Sequence, residues 1–464
     1  MASLTQKMTA ALKSRGDRVV GCPEPHTSSA QPMIDFTSND FLSLSDSVPL
    51  RSAVLSALNS TPNILGSGGS RLLVSAPAHA ALEARLCRFF DAPAALLFNS
   101  GFDANVGFFS AVPQPGDVVL YDELIHKSVH DGMRSSRLPR DALISFTHNS
   151  VPALQRTLSR LLQDQNELKL GKSSVFVAVE SHYSMDGTLS PLLDVVDCVE
   201  MMLPLGNGYV VVDEAHATGI YGPNGRGMVA ALGLEKRIFA RLHTFGKSLA
   251  ASGAVLLTTE LVRDYLLNYA HSIIYTTALT NASVIAAGCS FDMLENGSTE
   301  ALATHLLDLS TYFVGLLRTH LRTVPSSLLR LPNHLADSHQ PEILTHSPPL
   351  PLSSPIIPLL TPEPRSLSNF LLSFTPPKSP DSKNVLEGPV IIYTNAIYPP
   401  GVPPGTSRVR VCLHAGHSRE DVDILMQGIV AWTEHRMGEM WSKKQEWEQT
   451  MSDSGIKTWM KTRL

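Results

Sequence analysis

Four groups of residues in this 464-residue chain are of types and spacings that could do chemistry. In the stretch RLHTFGKSLAASGAVLL, Lys247 stands among small residues with apolar runs on either side. A lysine in a tight, partly desolvated pocket has a lowered pKa, and its amine can then form an imine with a carbonyl group. The competing reading is a lysine whose stem packs while its amine reaches water. In GYVVVDEAHATG, Asp213 closes a buried strand and His216 follows three residues later. Such a carboxylate either caps a helix or meets a cation. An ion pair at ~4 Å is worth about 4 kcal/mol at an effective dielectric of about 20, or roughly three pK units, enough to keep a pyridine nitrogen protonated. In LLFNSGFDAN, Asn99, Ser100, Gly101 and Phe102 lie at a strand-to-helix turn. Free amides at a helix start bind phosphate, although many such turns share this composition. His126, in DELIHKSVHDGMRSS, is suited to stacking on an aromatic ring or moving a proton, and equally to a structural role.

These residues need a scaffold that brings strand ends together. The runs AALLFNS, DVVLY, SSVFVAVES and GYVVVDEAH are β-rich and end in polar residues. Between them lie the helical patterns PAHAALEARLCRFF and VPALQRTLSRLLQDQ. Strands alternating with helices imply an α/β fold with a mostly parallel, doubly wound sheet. Ligands collect at the carboxyl ends of the strands in such sheets, which is where the polar residues fall. The chain is read as four units: 1–50, an N-terminal helix and arm; 51–290, a large cofactor-binding domain; 291–437, a small C-terminal α/β domain; and 438–464, a helical tail. SPIIPLLT and GPVIIYTNAIYPP read as strands of the small domain, and DVDILMQGIVAWTEHRMGEMW as a terminal helix. Pro/Ser-rich inserts are placed at about 336–352 and 374–388, because proline interrupts regular elements.

Composition narrows the function classes. The chain is 43% hydrophobic and 17% charged, which is globular. A formal charge of −5 without a basic block excludes a nucleic-acid binder of the usual kind. No apolar run reaches the roughly 18–20 residues that span a bilayer, so no membrane partner is expected. Cys22, Cys87, Cys198, Cys289 and Cys412 are odd in number and scattered, so neither a disulfide framework nor a metal site is read. Buried free thiols in a reducing compartment are the expectation. The basic, acid-poor N-terminus is somewhat like a mitochondrial presequence but reads first as an ordinary amphipathic helix. The last three residues, Thr462, Arg463 and Leu464, are close to the peroxisomal Ser-Lys-Leu tripeptide. The reading is therefore peroxisomal, through an import receptor, with the cytoplasm as alternative.

Along the chain the motifs FTSNDFLSL, GSGGSRLLVSAPAHAALE, SGF, YSMDGTLSPL, DEAHATGIYGPNGRG, HTFGKSLAASGA, IIYTTAL and PPGTSRVRVCLHAGH follow in one order. In that order, from about residue 34 to 435, the chain resembles the α-oxoamine synthases, pyridoxal-phosphate enzymes of the aspartate aminotransferase fold (fold type I). The resemblance implies that Lys247 carries pyridoxal 5'-phosphate, with Asp213 on the pyridine nitrogen and His126 on the ring face. It implies His216 and Ser184 near the phenolic oxygen. The Gly101 and Phe102 amides and the Thr244 hydroxyl would hold the phosphate. Thr276 and Thr277 would reach the phosphate of a neighbouring subunit, hence a homodimer with shared active sites. Arg410, with Asn39 nearby, would grip the amino-acid carboxylate. Within the family the resemblance is to members that condense L-alanine with pimeloyl-CoA, on the way to biotin. Other acyl-CoA condensing synthases of the family stay open, making 5-aminolevulinate, aminoketobutyrate or a secondary-metabolite amino ketone, as does a non-catalytic partner subunit. Gly401, in PPGVPPG, stands where some members carry a threonine, which puts one substrate contact in doubt.

Overall fold

Strands that are apolar at every position, not at alternate ones, belong in sheets buried on both faces. The computed structural model, which describes residues 3–16, 33–66, 68–74, 76–336, 353–376 and 390–453, has this arrangement. Its strands are β1 (Met33–Asp35), β2 (Ala94–Phe98), β3 (Val118–Asp122), β4 (Leu143–Phe146), β5 (Val175–Glu180), β6 (Gly208–Asp213), β7 (Ala240–Thr244), β8 (Ala254–Thr258), β9 (Ile356–Leu360), β10 (Ile391–Tyr393), β11 (Asn395–Ile397) and β12 (Arg408–Cys412). Seven form one sheet in the order β2-β8-β7-β6-β5-β3-β4. All neighbours in it are parallel except β8, which runs antiparallel to β2 and β7.

Side chains alternate across this sheet, as strand geometry requires. Along β5, Val175, Val177 and Val179 enter one core cluster, and Phe176 and Ala178 enter another. Along β6, Val210 and Val212 lie on the first side, while Tyr209 and Val211 lie on the second. The helices Val151–Asp164 and Leu192–Met202 cover the first face through Leu154, Leu158, Val195 and Val199. The helices Gly101–Ala111 and Lys127–Arg134 cover the second through Phe108, Val129 and Met133. Each buried aliphatic side chain contributes about 1.5–3 kcal/mol, so the carboxyl ends of β5, β6 and β7 are held on a rigid floor.

A second, three-stranded antiparallel sheet has the order β11-β12-β9. Its central strand is tied to the segment after β1, because the Cys412 amide donates to the Phe36 carbonyl at 2.9 Å. The pattern GPVIIYTNAIYPP reads as one strand but forms two. β10 pairs in parallel with β1, and β11 pairs with β12. Thr394, buried between them and 3.1 Å from Ser368 Oγ, marks the change of partner, which an apolar pattern does not reveal.

The helices expected at 77–90 and 151–165 are present as Pro77–Phe90 and Val151–Asp164, each with a proline in its first turn. The three expected unit boundaries all fall inside helices: 50/51 in Val48–Ser60, 290/291 in Asn281–Glu295, and 437/438 in Arg419–Asp453. The helices run on through these points, past Pro49, Gly288 and Gly438. The inserts placed at about 336–352 and 374–388 lie almost wholly outside the described residues, as do Cys22 and the Thr462–Leu464 tail. Among the described residues Cys87, Cys198, Cys289 and Cys412 are free, no His/Cys/Asp/Glu group could hold a metal ion, and no helix is long and apolar enough to cross a membrane.

The two sheets meet at the hairpin of residues 183–188, in which the Tyr183 amide donates to the Thr188 carbonyl and the Gly187 amide to the Tyr183 carbonyl. Gly187 has φ +65°, and a Cβ there would fall on the Ile356 carbonyl at the start of β9. Gly187→Ala therefore combines left-handed strain with a backbone clash. We expect it to cost about 3 kcal/mol of unfolding free energy. A denaturant midpoint equal to that of the wild type would show that the hairpin does not press on β9 in this way.

Candidate active site

Lys247 lies in the loop that joins antiparallel β7 and β8. The loop is closed by backbone hydrogen bonds from Phe245 to Gly253, Ala251 to Phe245 and Ala250 to Lys247. Ala250 has φ +47°, so the small residues around Lys247 serve a tight, self-bonded loop as well as an approach to the lysine. The Lys247 amine is held below the ordinary lysine value, first by desolvation and also by the Arg410 cation. The carboxyls of Asp213 and Glu180 act in the opposite sense but do not overcome burial.

Asp213 is the last residue of β6 and is buried. Its Oδ1 accepts from the Ala215 amide at 2.9 Å and its Oδ2 from Asn105 Nδ2 at 2.8 Å. Asn105, one turn into the helix Gly101–Ala111, also donates to Ser128 Oγ at 3.0 Å. Ser128 Oγ is 2.6 Å from His126 Nδ1. A continuous chain thus runs Asp213, Asn105, Ser128, His126. His126 lies at the surface with its ring nitrogen partly buried, and Phe102 is edge-on to it at 6.5 Å. Partial desolvation lowers the His126 pKa, and the Asp213 charge opposes this.

After Asp213 the chain is pinned by Glu214. Its buried carboxylate accepts from Ser181 Oγ at 2.7 Å, the Val229 amide at 2.7 Å and the Met228 amide at 3.0 Å. This anchor sets the turn that carries His216. His216 is buried, and desolvation, followed by the Lys247 and Arg410 cations, pushes its pKa well below the usual range. His216 Nδ1 has no protein partner.

Arg410 projects from β12, the central strand of the second sheet. Its Nε donates to the Ser184 carbonyl at 2.6 Å and its Nη2 to Asn39 Oδ1 at 2.9 Å. These bonds fix the guanidinium plane and bring Arg410 together with Asn39 and with the Ser184 backbone. Two residues along the strand, Arg408 pairs with Asp186 at 2.6 Å and donates to the Met185 carbonyl. The hairpin 183–188 is therefore clasped by two arginines of the second sheet.

The helix Gly101–Ala111 starts at N-cap Ser100, whose Oγ accepts from the Asp103 amide. The amides of Gly101 and Phe102 have no acceptor among the described residues. Thr244 closes the other side: a Cβ built on Gly101 would lie 3.3 Å from Thr244 Cβ and 3.4 Å from its hydroxyl. Two free amides and a hydroxyl at a helix start make an anion cradle. Thr276 and Thr277 lie beside it in the same chain, where Asn99 Nδ2 donates to Thr276 Oγ1 at 3.3 Å and to the Thr277 carbonyl at 2.8 Å.

These features fit pyridoxal phosphate. A desolvated amine, a carboxylate oriented by two donors, an imidazole at the surface, a buried imidazole nitrogen without a partner and an anion cradle all lie at or just beyond the carboxyl ends of β2, β3, β6 and β7. Sequence reasoning missed Asn105, Ser128, His182 and Glu180. Asn105 and Ser128 are ordinary polar residues whose meeting depends on two helices packing together. Glu180 carried a sign that was present in the pattern, as the polar residue closing an all-apolar strand.

A model of the family described as aminotransferase class I and II matches residues 31–339. The 8-amino-7-oxononanoate synthase of Emericella nidulans is 43% identical over 433 residues, 92% of this chain and 96% of the relative. An aminoacyl transferase of Byssochlamys spectabilis is 35% identical over 87% of this chain and 82% of its own. Among solved structures, a serine palmitoyltransferase from S. paucimobilis superposes with a TM-score of 0.72 at 22% identity, covering 94% of this chain and 99% of the other. At that identity the likeness is one of fold.

His182, behind His216, offers a test of the site's burial. Its Nδ1 meets the His216 carbonyl at 3.1 Å, and its Nε2 meets Ser354 Oγ at 2.7 Å. Burial lowers its pKa from 6.5 to about 4. In the unfolded chain the imidazole protonates near 6.5, and in the folded chain only near 4. Its contribution to stability is thus full above pH 6.5 and declines as the pH falls toward 4. Relative to His182→Gln, the wild type should lose roughly 1.4 kcal/mol per pH unit across that window. A pH-independent difference between the two in urea unfolding would contradict the buried neutral imidazole.

Proposed function

Since this chain belongs to the aminotransferase class I and II family of pyridoxal-phosphate enzymes, we propose that it condenses L-alanine with pimeloyl-CoA. The products are 8-amino-7-oxononanoate, coenzyme A and carbon dioxide, a step toward biotin. The observation that supports this reading is that the Arg410 guanidinium, held by Asn39, lies near enough to Lys247 to lower the pKa of its amine. It provides a carboxylate fork beside a base. The similarity to 8-amino-7-oxononanoate synthases supports alanine and pimeloyl-CoA over other pairs.

Lys247 would hold the cofactor through Nζ, and Asp213 would face the pyridine nitrogen. His126 would cover the ring, and Ser184 and His216 would lie near its phenolic oxygen. Gly101, Phe102 and Thr244 would take the phosphate. When bound, pyridoxal phosphate supplies an electron sink for negative charge at the amino-acid Cα. Arg410 and Asn39 orient the alanine carboxylate, which a planar guanidinium binds at two oxygens. Lys247 Nζ, released from the cofactor when the alanine amine takes its place and left unprotonated by desolvation, takes the Cα proton. The Cα then bonds to the thioester carbonyl carbon, the carbon–sulfur bond breaks and coenzyme A leaves. The former alanine carboxylate departs as carbon dioxide, and a proton returns to Cα.

We also propose a two-fold dimer in which Thr276 and Thr277 approach the partner's phosphate cradle. Tyr275, Leu65 and Leu73, on and near the segments that carry these threonines, are 78%, 77% and 79% exposed, as surfaces awaiting a second copy would be.

Coenzyme A release by the cofactor-loaded protein tests the reading, with alanine, glycine and serine crossed against pimeloyl-, succinyl-, acetyl- and palmitoyl-CoA. We expect release with alanine and pimeloyl-CoA above all other pairs. Preference for another pair would move the enzyme to a different amino ketone, the direction suggested by its likeness to an aminoacyl transferase. Arg410→Lys replaces a fork by a point charge and should raise KM for the amino acid by at least about tenfold, or about 1.4 kcal/mol. An unchanged KM would remove Arg410 from carboxylate binding.

A further inference from the structure

Three carboxyls end neighbouring strands of the main sheet: Asp122 on β3, Glu180 on β5 and Asp213 on β6. Their supply of donors is unequal. Asp122 accepts from the Leu124 amide at 2.9 Å, the Asn149 amide at 2.8 Å and His148 Nδ1 at 2.8 Å. Asp213 accepts from Asn105 and the Ala215 amide. Glu180 is buried, has the His126 backbone amide as a hydrogen-bond partner, and its Oε1 has none. Glu180 and Asp213 are direct register partners across parallel strands. Strand alternation puts both on the face that carries Phe176, Ala178 and Val211. Two carboxyls side by side on one buried face do not both ionise. The one with fewer donors keeps the proton.

We propose that Glu180 is a neutral carboxylic acid in the working enzyme, a positioning residue whose protonated state leaves Asp213 as the single anion beneath the cofactor ring. This deepens the function proposed above and rests on it only for the identity of that ring. The groups facing Glu180 are Asp213 from β6, Lys247 from the β7–β8 loop, the His126 amide from the segment after β3, Asp122 from β3 and Tyr183 from its own hairpin. Burial and the two neighbouring aspartates raise its pKa, and Lys247 and the His126 amide oppose them without prevailing. An ionised Glu180 would add a second negative charge near Lys247, favour its cation and leave less of it as the free amine that can accept a proton. A neutral Glu180 leaves the amine to desolvation, the Arg410 cation and the Asp213 carboxylate.

The experiment is infrared difference spectroscopy of the full chain near neutral pH, wild type minus Glu180→Gln, with Glu180→Asp as a second variant. We expect a protonated-carboxylic-acid band that is absent in E180Q and retained, at shifted frequency, in E180D. No such band in either difference spectrum overturns the proposal. Because E180Q mimics the neutral acid, the pH at which the bound cofactor's visible band titrates should move by less than about 0.3 unit. A downward shift of about one unit or more would show that a charge had been removed, and would also overturn it. The infrared band is read with or without cofactor. A protein that never binds pyridoxal phosphate but shows the band would therefore sink the proposed function and leave the assignment of Glu180 standing.

Discussion

A half-buried, desolvated amine and a buried carboxylate lie near each other at the carboxyl edge of the main sheet, and the rest of the structure serves that pairing. Taken from water, either charge alone is costly. Asp213 is sustained by the Ala215 amide and by Asn105, whereas Lys247 is given up to desolvation and its pKa falls. The outcome is an anion with fixed direction beside an amine ready to act as nucleophile or base. Neither state would persist on a flexible support. Both rest on strands whose side chains are packed on two faces, and on a loop that bonds to itself.

The second sheet contributes by reaching across. Arg408 and Arg410, at alternate positions of β12, both hold the 183–188 hairpin of the first sheet. Arg410 also meets Asn39, from the segment that follows β1. Three stretches far apart in sequence are thereby locked at one guanidinium. A carboxylate arriving there is read by a group whose plane is already set, so little ordering remains to be done on binding. Glu214 has a comparable task one residue beyond Asp213: it fixes the turn that presents His216 by accepting from Ser181 and two helix amides.

Much of this was legible in the sequence where chemistry and local pattern coincide. The all-apolar runs that read as strands of the main sheet are β2, β3, β5 and β6, and the proline-started helices precede β2 and β5; β4, β7 and β8 are not read as strands. The ordered motifs did more, because residue type alone left Lys247 and His126 with structural alternatives. What was not legible depends on partners distant in sequence. Asn105 and Ser128 acquire a role only when two helices pack over the second face of the sheet. β10 and β11 read as one strand because pairing with different sheets leaves no trace in hydropathy. The unit boundaries drawn at 50/51, 290/291 and 437/438 lie inside helices that carry the chain through them.

The central claim is that Lys247, and no other lysine, holds the cofactor. It is tested by reducing the cofactor-loaded protein with borohydride, digesting it and mapping the mass adduct by tandem mass spectrometry. The account predicts one irreversible pyridoxyl adduct, on the peptide containing Lys247. An unmodified Lys247 peptide, or an adduct on another lysine, would contradict it.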